Sequence, residues 1–221
     1  MKIVLTGVTG FIGSAVLQRC LVHPNITEVV TLSRRSPEVT HPKLHSIIYK
    51  DFHTYPSSLL GELAGAEACI WSVGTSLSGK DVHVGYTLAA AKAFADNLAP
   101  QLAKENKFRF VYVSSGLSIQ DQNNTTWFPT EARKSRGYVE KELVELEQAY
   151  EKQWQSINVR PAGVTKVPPE WWVKRLFGEW RIQQDELAAA LVELAVQGQA
   201  KHWVENEELK QRGSKLIAQS L

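Results

Sequence analysis

Sulfur is scarce in this chain, with two cysteines and one methionine among 221 residues. Cys20 and Cys69 stand alone in apolar stretches, not in the closely spaced sets of a disulfide scaffold or a zinc site. We therefore expect reduced, chemically idle thiols, no metal centre and a cytoplasmic location. An excess of charge is lacking as well. Lys and Arg number 25 against 23 Asp and Glu, a net charge of +2, which gives no electrostatic reason to expect nucleic acid or an acidic membrane as partner. No apolar run is long enough for a membrane-spanning helix. The opening MKIVLTGVTGFIG is apolar, but it is broken by glycines and lacks a small-residue cleavage site, so it does not read as a signal peptide. Internal repeats and low-complexity linkers are missing too. With 43% hydrophobic and 22% charged residues, the chain is expected to form one domain over residues 1–221.

What is present is an alternation. KIVLT (2–6), EVVTLS (28–33), LHSIIY (44–49), ACIWSV (68–73), FRFVYVS (108–114) and SINVR (156–160) are β-branched or aromatic runs that predict strands. Helical patterns fill 11–22, 84–105, 131–153 and 185–197. Strands alternating with helices imply an α/β, doubly wound, mostly parallel sheet with helices on both faces. Nothing in the last third marks a second domain, and residues from about 165 to 221 are expected to add a substrate-side cap.

The most specific signal is KIVLTGVTGFIGSAVLQRCL, a strand, a tight turn and a helix, with Gly7, Gly10 and Gly13 spaced three apart. Such a turn lets backbone N–H groups at a helix start approach a pyrophosphate, so Gly7, Thr9, Gly10, Phe11, Ile12 and Gly13 are candidate cofactor contacts. An acidic residue about 20 positions further on would bind a ribose 2′-hydroxyl. That place reads Ser33-Arg34-Arg35, and two guanidinium groups suit a 2′-phosphate, so NADP(H) is the expected cofactor. Asp51 and Phe52, closing the third strand, are candidates for the adenine edge, Asp51 equally for a turn. Gly74 falls in a glycine-containing loop at a strand's carboxyl end.

The string TGVTGFIG resembles the T-G-x-x-G-x-x-G motif of extended and atypical short-chain dehydrogenases/reductases, and the likeness covers most of the chain. FVYVSSG is similar to that family's fifth strand, which ends at the active-site serine, here Ser115. RPAGV (160–164) resembles its R-P-x-x-V element beside the nicotinamide, which brings in Pro161. The compact NmrA-like and Tat-interacting-protein-like members, and small fungal ones with an E-A-R-K segment, are the most similar. The resemblance implies the Rossmann fold, an NAD(P) cofactor, and a Tyr with a Lys four residues later as acid and base. In the matching register this chain has Ala132 and Arg136, followed by Gly137 and Glu140.

Helical geometry separates these from a nearby decoy. At about 100° per residue, Ala132, Arg136, Val139, Leu143, Leu146 and Tyr150 fall within one stripe, whereas Tyr138 and Lys141 fall opposite. Tyr138 with Lys141 is thus expected to be a surface pair. Ala132 has no proton to give; Arg136 is a candidate to orient the cofactor's ribose and hold positive charge near the site, but it holds its proton too firmly to act as an acid. Ser115 remains as a hydrogen-bond donor to an oxyanion. His83 and Tyr86, early in the helix after the fourth strand, are candidate replacement acids or simply helix-start packing. In PPEWWVKRLFGEW (168–180), Trp172, Leu176 and Trp180 recur every four residues. With Trp127 and Phe128 they form either an apolar substrate pocket or a helix burying its aromatics in the core. The leading expectation is an NADP(H)-dependent oxidoreductase acting on a small, fairly apolar carbonyl-type metabolite. The alternatives are a non-catalytic NADP(H)-sensing regulator, and an isomerase or lyase on the same fold. A homodimer or a protein partner is compatible with either class.

Overall fold

Strand order follows apolar continuity. In the computed structural model, which describes residues 1–74, 82, 84–123, 130–166 and 180–219, the middle of the sheet is taken by the strands whose sequences are apolar on both faces. These are β1 (Lys2–Thr6), β4 (Ala66–Trp71) and β5 (Phe108–Val113). β2 (Glu28–Ser33) and β3 (Leu44–Ile48) extend one side; β3, at the edge, leaves His45, Ser46 and Ile48 exposed. β6 (Trp154–Arg160) and the short β9 (Trp203–Glu205) extend the other. The seven strands run in the order β3-β2-β1-β4-β5-β6-β9, and every pairing is parallel. A parallel sheet needs crossover helices on its faces, which is the α/β doubly wound architecture the alternation predicts.

Two apolar layers cover the sheet. On one face α1 (Phe11–Val22) and α5 (Gln184–Gln197) pack together over Ile3, Leu5, Ile70 and Val111. On the other, α2 (Ser57–Leu63), α3 (Gly85–Asn97) and α4 (Thr130–Ala149) enclose Val4, Cys69, Trp71, Phe110 and Tyr112. Rings concentrate in this second layer, where Trp154 stacks on Phe108 and Phe110 with centroids 5.2 and 5.5 Å apart. Each layer holds one cysteine, and both are buried and free. Burial pushes the Cys20 thiol up to about 12 and the Cys69 thiol well above its ordinary value, so neither forms a thiolate readily.

The helical pattern over 84–105 ends early. α3 stops at Asn97, and Pro100 sits in a separate single turn, Ala99–Gln101, because proline cannot continue the α-helical hydrogen bonding. Five further elements come from sequence too short or too charged to show a period: α2, β9, the parallel pair β7 (Gly163–Thr165) and β8 (Arg181–Gln183), and α6 (Asn206–Ala218). Within the segment from about 165 to 221, α5 and β9 complete the central sheet and its core layer, α6 packs on α5, and residues 167–179 lie outside the described residues. No helix among the described residues is long and apolar enough to cross a membrane.

Candidate functional site

The chain order reverses at β1, whose neighbours β2 and β4 lie on opposite sides. In open parallel sheets this reversal leaves a crevice at the carboxyl ends of the strands, where ligands bind. The glycine turn lies there, and its three glycines differ in what they face. Gly7 has φ +66°, and a Cβ on it would stand 2.3 Å from the Ser72 carbonyl oxygen; a Cβ on Gly13 would stand 2.1 Å from the Gly7 carbonyl oxygen. Those two are demanded by close packing of turn, helix and β4. Gly10 is exposed, and a Cβ there would meet only the Gly7 carbonyl oxygen, at 3.1 Å. Gly10 is also the N-cap of α1 and supplies no side chain to its first N–H groups, which a helix leaves without internal partners. Thr9 and Phe11 are exposed beside it, and Ile12 is half-buried.

Ser72 is a structural member of this site that sequence reasoning missed. Its Oγ donates to the Thr6 carbonyl at 2.6 Å and its N–H to Thr6 Oγ1 at 3.1 Å, tying the ends of β1 and β4 around the turn. The signal was a serine directly after a buried strand, facing a glycine. Gly74, two residues on, is exposed with φ +112°.

At the end of β2, Ser33 Oγ donates to the Arg35 carbonyl at 2.5 Å and turns the chain. Arg34 and Arg35 are both exposed. Arg35, Ser36 and Glu38 line a cavity of about 470 Å³ with Thr9, Ser14 and Gln18, so this loop and the start of α1 share one hollow. Asp51 is a turn residue in its contacts: Oδ1 accepts the His53 N–H at 3.0 Å and Oδ2 the Thr54 hydroxyl at 2.8 Å. The Thr54 bond is the main cause of its carboxyl lying below the ordinary value. Phe52 is core, its ring stacked on Tyr86 at 5.7 Å and edge-on to Trp71 at 5.9 Å. Tyr86 is thereby engaged in packing, with the His53 ring against it at 4.7 Å. His83, Trp127, Phe128, Trp172 and Leu176 lie outside the described residues. Trp180 is described, 51% exposed, close to where a Cβ on Gly163 would stand.

The third part of the crevice is at the end of β5. Ser115 is half-buried, its Oγ accepting the Leu117 N–H at 3.2 Å and its carbonyl the Ser118 N–H at 2.9 Å. The Gly116 N–H donates to the Pro161 carbonyl at 2.8 Å, which brings the β5 end and the Arg160-Pro161 segment together. Holding them is Glu140, fully buried on α4. Its carboxylate accepts from Ser114 at 2.5 Å, Ser118 at 2.8 Å, Gln120 at 3.2 Å and the Trp203 indole at 3.3 Å. Arg160 adds its Nε at 3.0 Å and one Nη, and reaches Glu205 with the other at 3.0 Å. A buried carboxylate is tolerated only when its lone pairs are filled in this way.

One turn earlier on α4, Ala132 and Arg136 are half-buried on the face that carries the fully buried Val139 and Leu143. Tyr138 is 37% exposed and Lys141 is exposed on the opposite side, as the helical angles require. Arg136 makes no ion pair or hydrogen bond among the described residues, and burial draws its pKa below the ordinary value, with Tyr112 opposing. The Tyr112 hydroxyl, on β5, is itself buried without a partner among the described residues, and burial holds its pKa well up. Among the described residues no cluster of His, Cys, Asp and Glu could hold a metal ion.

Comparison with known proteins agrees with this geometry. The model of the NAD dependent epimerase/dehydratase family matches residues 3–162, from β1 through the Arg160-Pro161 segment. The chain belongs to that family. A curated relative, the Leucinostatins biosynthesis cluster protein T of Purpureocillium lilacinum, is 36% identical over 122 residues, which are 52% of this chain and 42% of that protein. The chain spans less than half the length of the curated relatives it matches. Among solved structures, the oxidoreductase ylbE of Lactococcus lactis superposes with a TM-score of 0.66 at 15% identity, covering 99% of this chain and 97% of that one. The dTDP-glucose 4,6-dehydratase of Bacillus anthracis, solved in complex with NAD, gives 0.66 at 14% identity, covering 99% and 81%. At such identities these likenesses speak for the Rossmann-like α/β fold.

Proposed function

We propose that residues 1–221 form one cytoplasmic NADP(H)-binding unit that acts as an oxidoreductase on a small, fairly apolar carbonyl-type metabolite. The observation that carries the reading is the division of labour among the glycines. Gly7 and Gly13 are consumed by packing, while Gly10 is exposed, crowded only by the Gly7 carbonyl oxygen 3.1 Å from where a Cβ would stand, in front of a helix start without side-chain caps, the setting that favours a pyrophosphate. The family's description as NAD dependent supports a dinucleotide. The finer preference for the 2′-phosphate rests on Arg34 and Arg35, with Arg35 lining the hollow that the turn shares.

The dinucleotide, when bound, supplies hydride chemistry; the chain supplies the rest. Ser115 donates to the substrate oxygen from a loop held at Ser114 and Ser118 by Glu140. Ala132 gives no proton, so the proton comes from water or from a side chain such as His83 or Tyr86. Two other readings have an observation each in their favour. Ala132 suits a non-catalytic NADP(H) sensor, and the family's epimerase/dehydratase description suits an isomerase or lyase.

Calorimetry and a carbonyl panel test the reading together. NADPH should bind at least about tenfold tighter than NADH, since a good charge-assisted contact is worth roughly 1.5–3 kcal/mol, and Arg34→Glu with Arg35→Glu should erase that preference. NADPH oxidation on some carbonyl of the panel should fall about 10²–10³-fold in Ser115→Ala with NADPH affinity unchanged. Equal affinities would remove the 2′-phosphate assignment. A silent panel, with Ser115→Ala indistinguishable from the parent, would leave the sensor standing.

A further inference from the structure

On the side of β5 away from the glycine turn, a hollow of about 720 Å³ lies at the carboxyl ends of β6 and β9. Gly116, directly after Ser115, is part of its lining, as is Ala162, two residues past β6. The hollow therefore begins beside the serine and leaves the turn itself to the dinucleotide. Its ionic groups are matched among themselves. Arg160 is engaged by Glu140 and Glu205, and Lys210 stands 3.7 Å from Glu207. Two cations thus face two carboxylates in the lining, and neither sign is left over to offset the desolvation of a charged ligand. What the lining does offer is Trp180, its one aromatic among the described residues. The indole is half-exposed, yet one face is braced by backbone: a Cβ on Gly163 would stand 3.5 Å from Cζ3 and 3.6 Å from Cε3. A ring held in this way keeps a large apolar face free for stacking at little further cost in side-chain freedom.

We propose that this hollow binds an uncharged aromatic ring stacked on Trp180, so that the carbonyl metabolite is an aryl ketone or aldehyde and not an aliphatic or charged one. The ring selects planarity, because a puckered aliphatic ring of the same size meets the indole with fewer atoms in contact. The balanced lining selects against charge. The carbonyl of such a compound, one bond from its ring, would reach back past Gly116 toward Ser115. The proposal rests on the oxidoreductase reading only for the carbonyl; the ring site stands on the hollow itself.

The test compares acetophenone, cyclohexyl methyl ketone and 4-acetylbenzoate on the full chain with saturating NADPH, in the parent, Trp180→Ala and Trp180→Phe. Binding is read by ligand-observed NMR titration and turnover by NADPH oxidation. Acetophenone should bind the parent about three- to tenfold tighter than either of the other two. Trp180→Ala should lose its advantage over the cyclohexyl ketone, and Trp180→Phe should keep part of it. In turnover the same loss should appear as a raised KM with kcat nearly unchanged, since the ring is bound alike before and during reaction. Without ligand, both variants should melt within about 2 °C of the parent, because the indole is already half in water. NADPH affinity should stay within about threefold. Equal binding of the aryl and cyclohexyl ketones, tighter binding of 4-acetylbenzoate, or an aryl preference that survives Trp180→Ala would overturn the proposal. So would a tenfold loss of NADPH affinity in Trp180→Ala, or a large drop in unliganded melting shared by both variants, which would make the ring part of the cofactor site or of the core. A parent that binds acetophenone through Trp180 but oxidises no NADPH on it would refute the oxidoreductase reading and keep the ring site. NADPH oxidation as efficient on the cyclohexyl ketone as on acetophenone would do the reverse.

Discussion

The turn after β1 and the helix that follows β5 flank the same crevice, and they differ in what the chain supplies there. At the turn it supplies backbone: three glycines and a helix start, with Ser72 bracing the curve from β4. On α4 it supplies side chains, and these divide into a frame and an inward-facing pair. The frame is Glu140 with Ser114, Ser118, Gln120, Arg160 and Trp203. The pair is Ala132 and Arg136, where the short-chain reductase resemblance leads one to look for Tyr and Lys. A backbone site leaves little freedom, because adding any side chain destroys it. A side-chain site on a rigid frame can change its chemistry without changing the fold, and that is where this chain departs.

The frame is the place to break the comparison hardest. Glu140→Ala leaves Arg160 half-covered with only the exposed Glu205 and frees two buried or half-buried serines. We expect a loss of about 3–5 kcal/mol, the usual cost of removing one partner of a buried ion pair, read by guanidinium denaturation. A loss below about 1 kcal/mol would mean that water replaces the carboxylate and the frame is not structural.

The glycines sharpen the other half. Gly13→Ala puts a Cβ 2.1 Å from a backbone oxygen, and overpacking of this kind costs about 1–3 kcal/mol. Gly10→Ala, at φ −91°, should cost less than about 1 kcal/mol of stability yet weaken NADPH binding at least tenfold by calorimetry. If the two variants lose stability equally, the packing and ligand-facing roles assigned to them are wrong. The smallest effect belongs to the decoy on α4. Tyr138→Phe, on the exposed face, should leave stability, NADPH affinity and any turnover within about a factor of two. A hundredfold loss of turnover would mean that Tyr138 reaches the crevice and the working face of α4 has been misjudged.

Much of this division was legible beforehand. The glycine spacing and the apolar strands point to the Rossmann turn, and helical angles alone put Tyr138 outside and Ala132 with Arg136 inside. Three things were not legible. Glu140 is picked out by the family resemblance, but at about 80° from Ala132 on the helix, at the edge of the stripe, nothing local shows that it is buried among partners from the β5 loop, β6 and β9. Phe52 reads as an adenine-edge candidate because it closes a strand, whereas its ring is buried against Trp71 and Tyr86. In the segment from about residue 165 to 221, expected as a cap, nothing announces a seventh strand, because the three-residue β9 has no period.

By itself the sequence determined what depends on local spacing: the strand–turn–helix at the amino end, the parallel α/β alternation, and which side of α4 faces inward. Periodicity is a property of neighbours along the chain. Which glycine is left exposed, which carboxylate is buried and satisfied, and which arginine lacks an acceptor among the described residues came from the packing of the fold. Those outcomes depend on atoms that residues far apart in sequence bring within hydrogen-bond distance, and on the water that their packing removes.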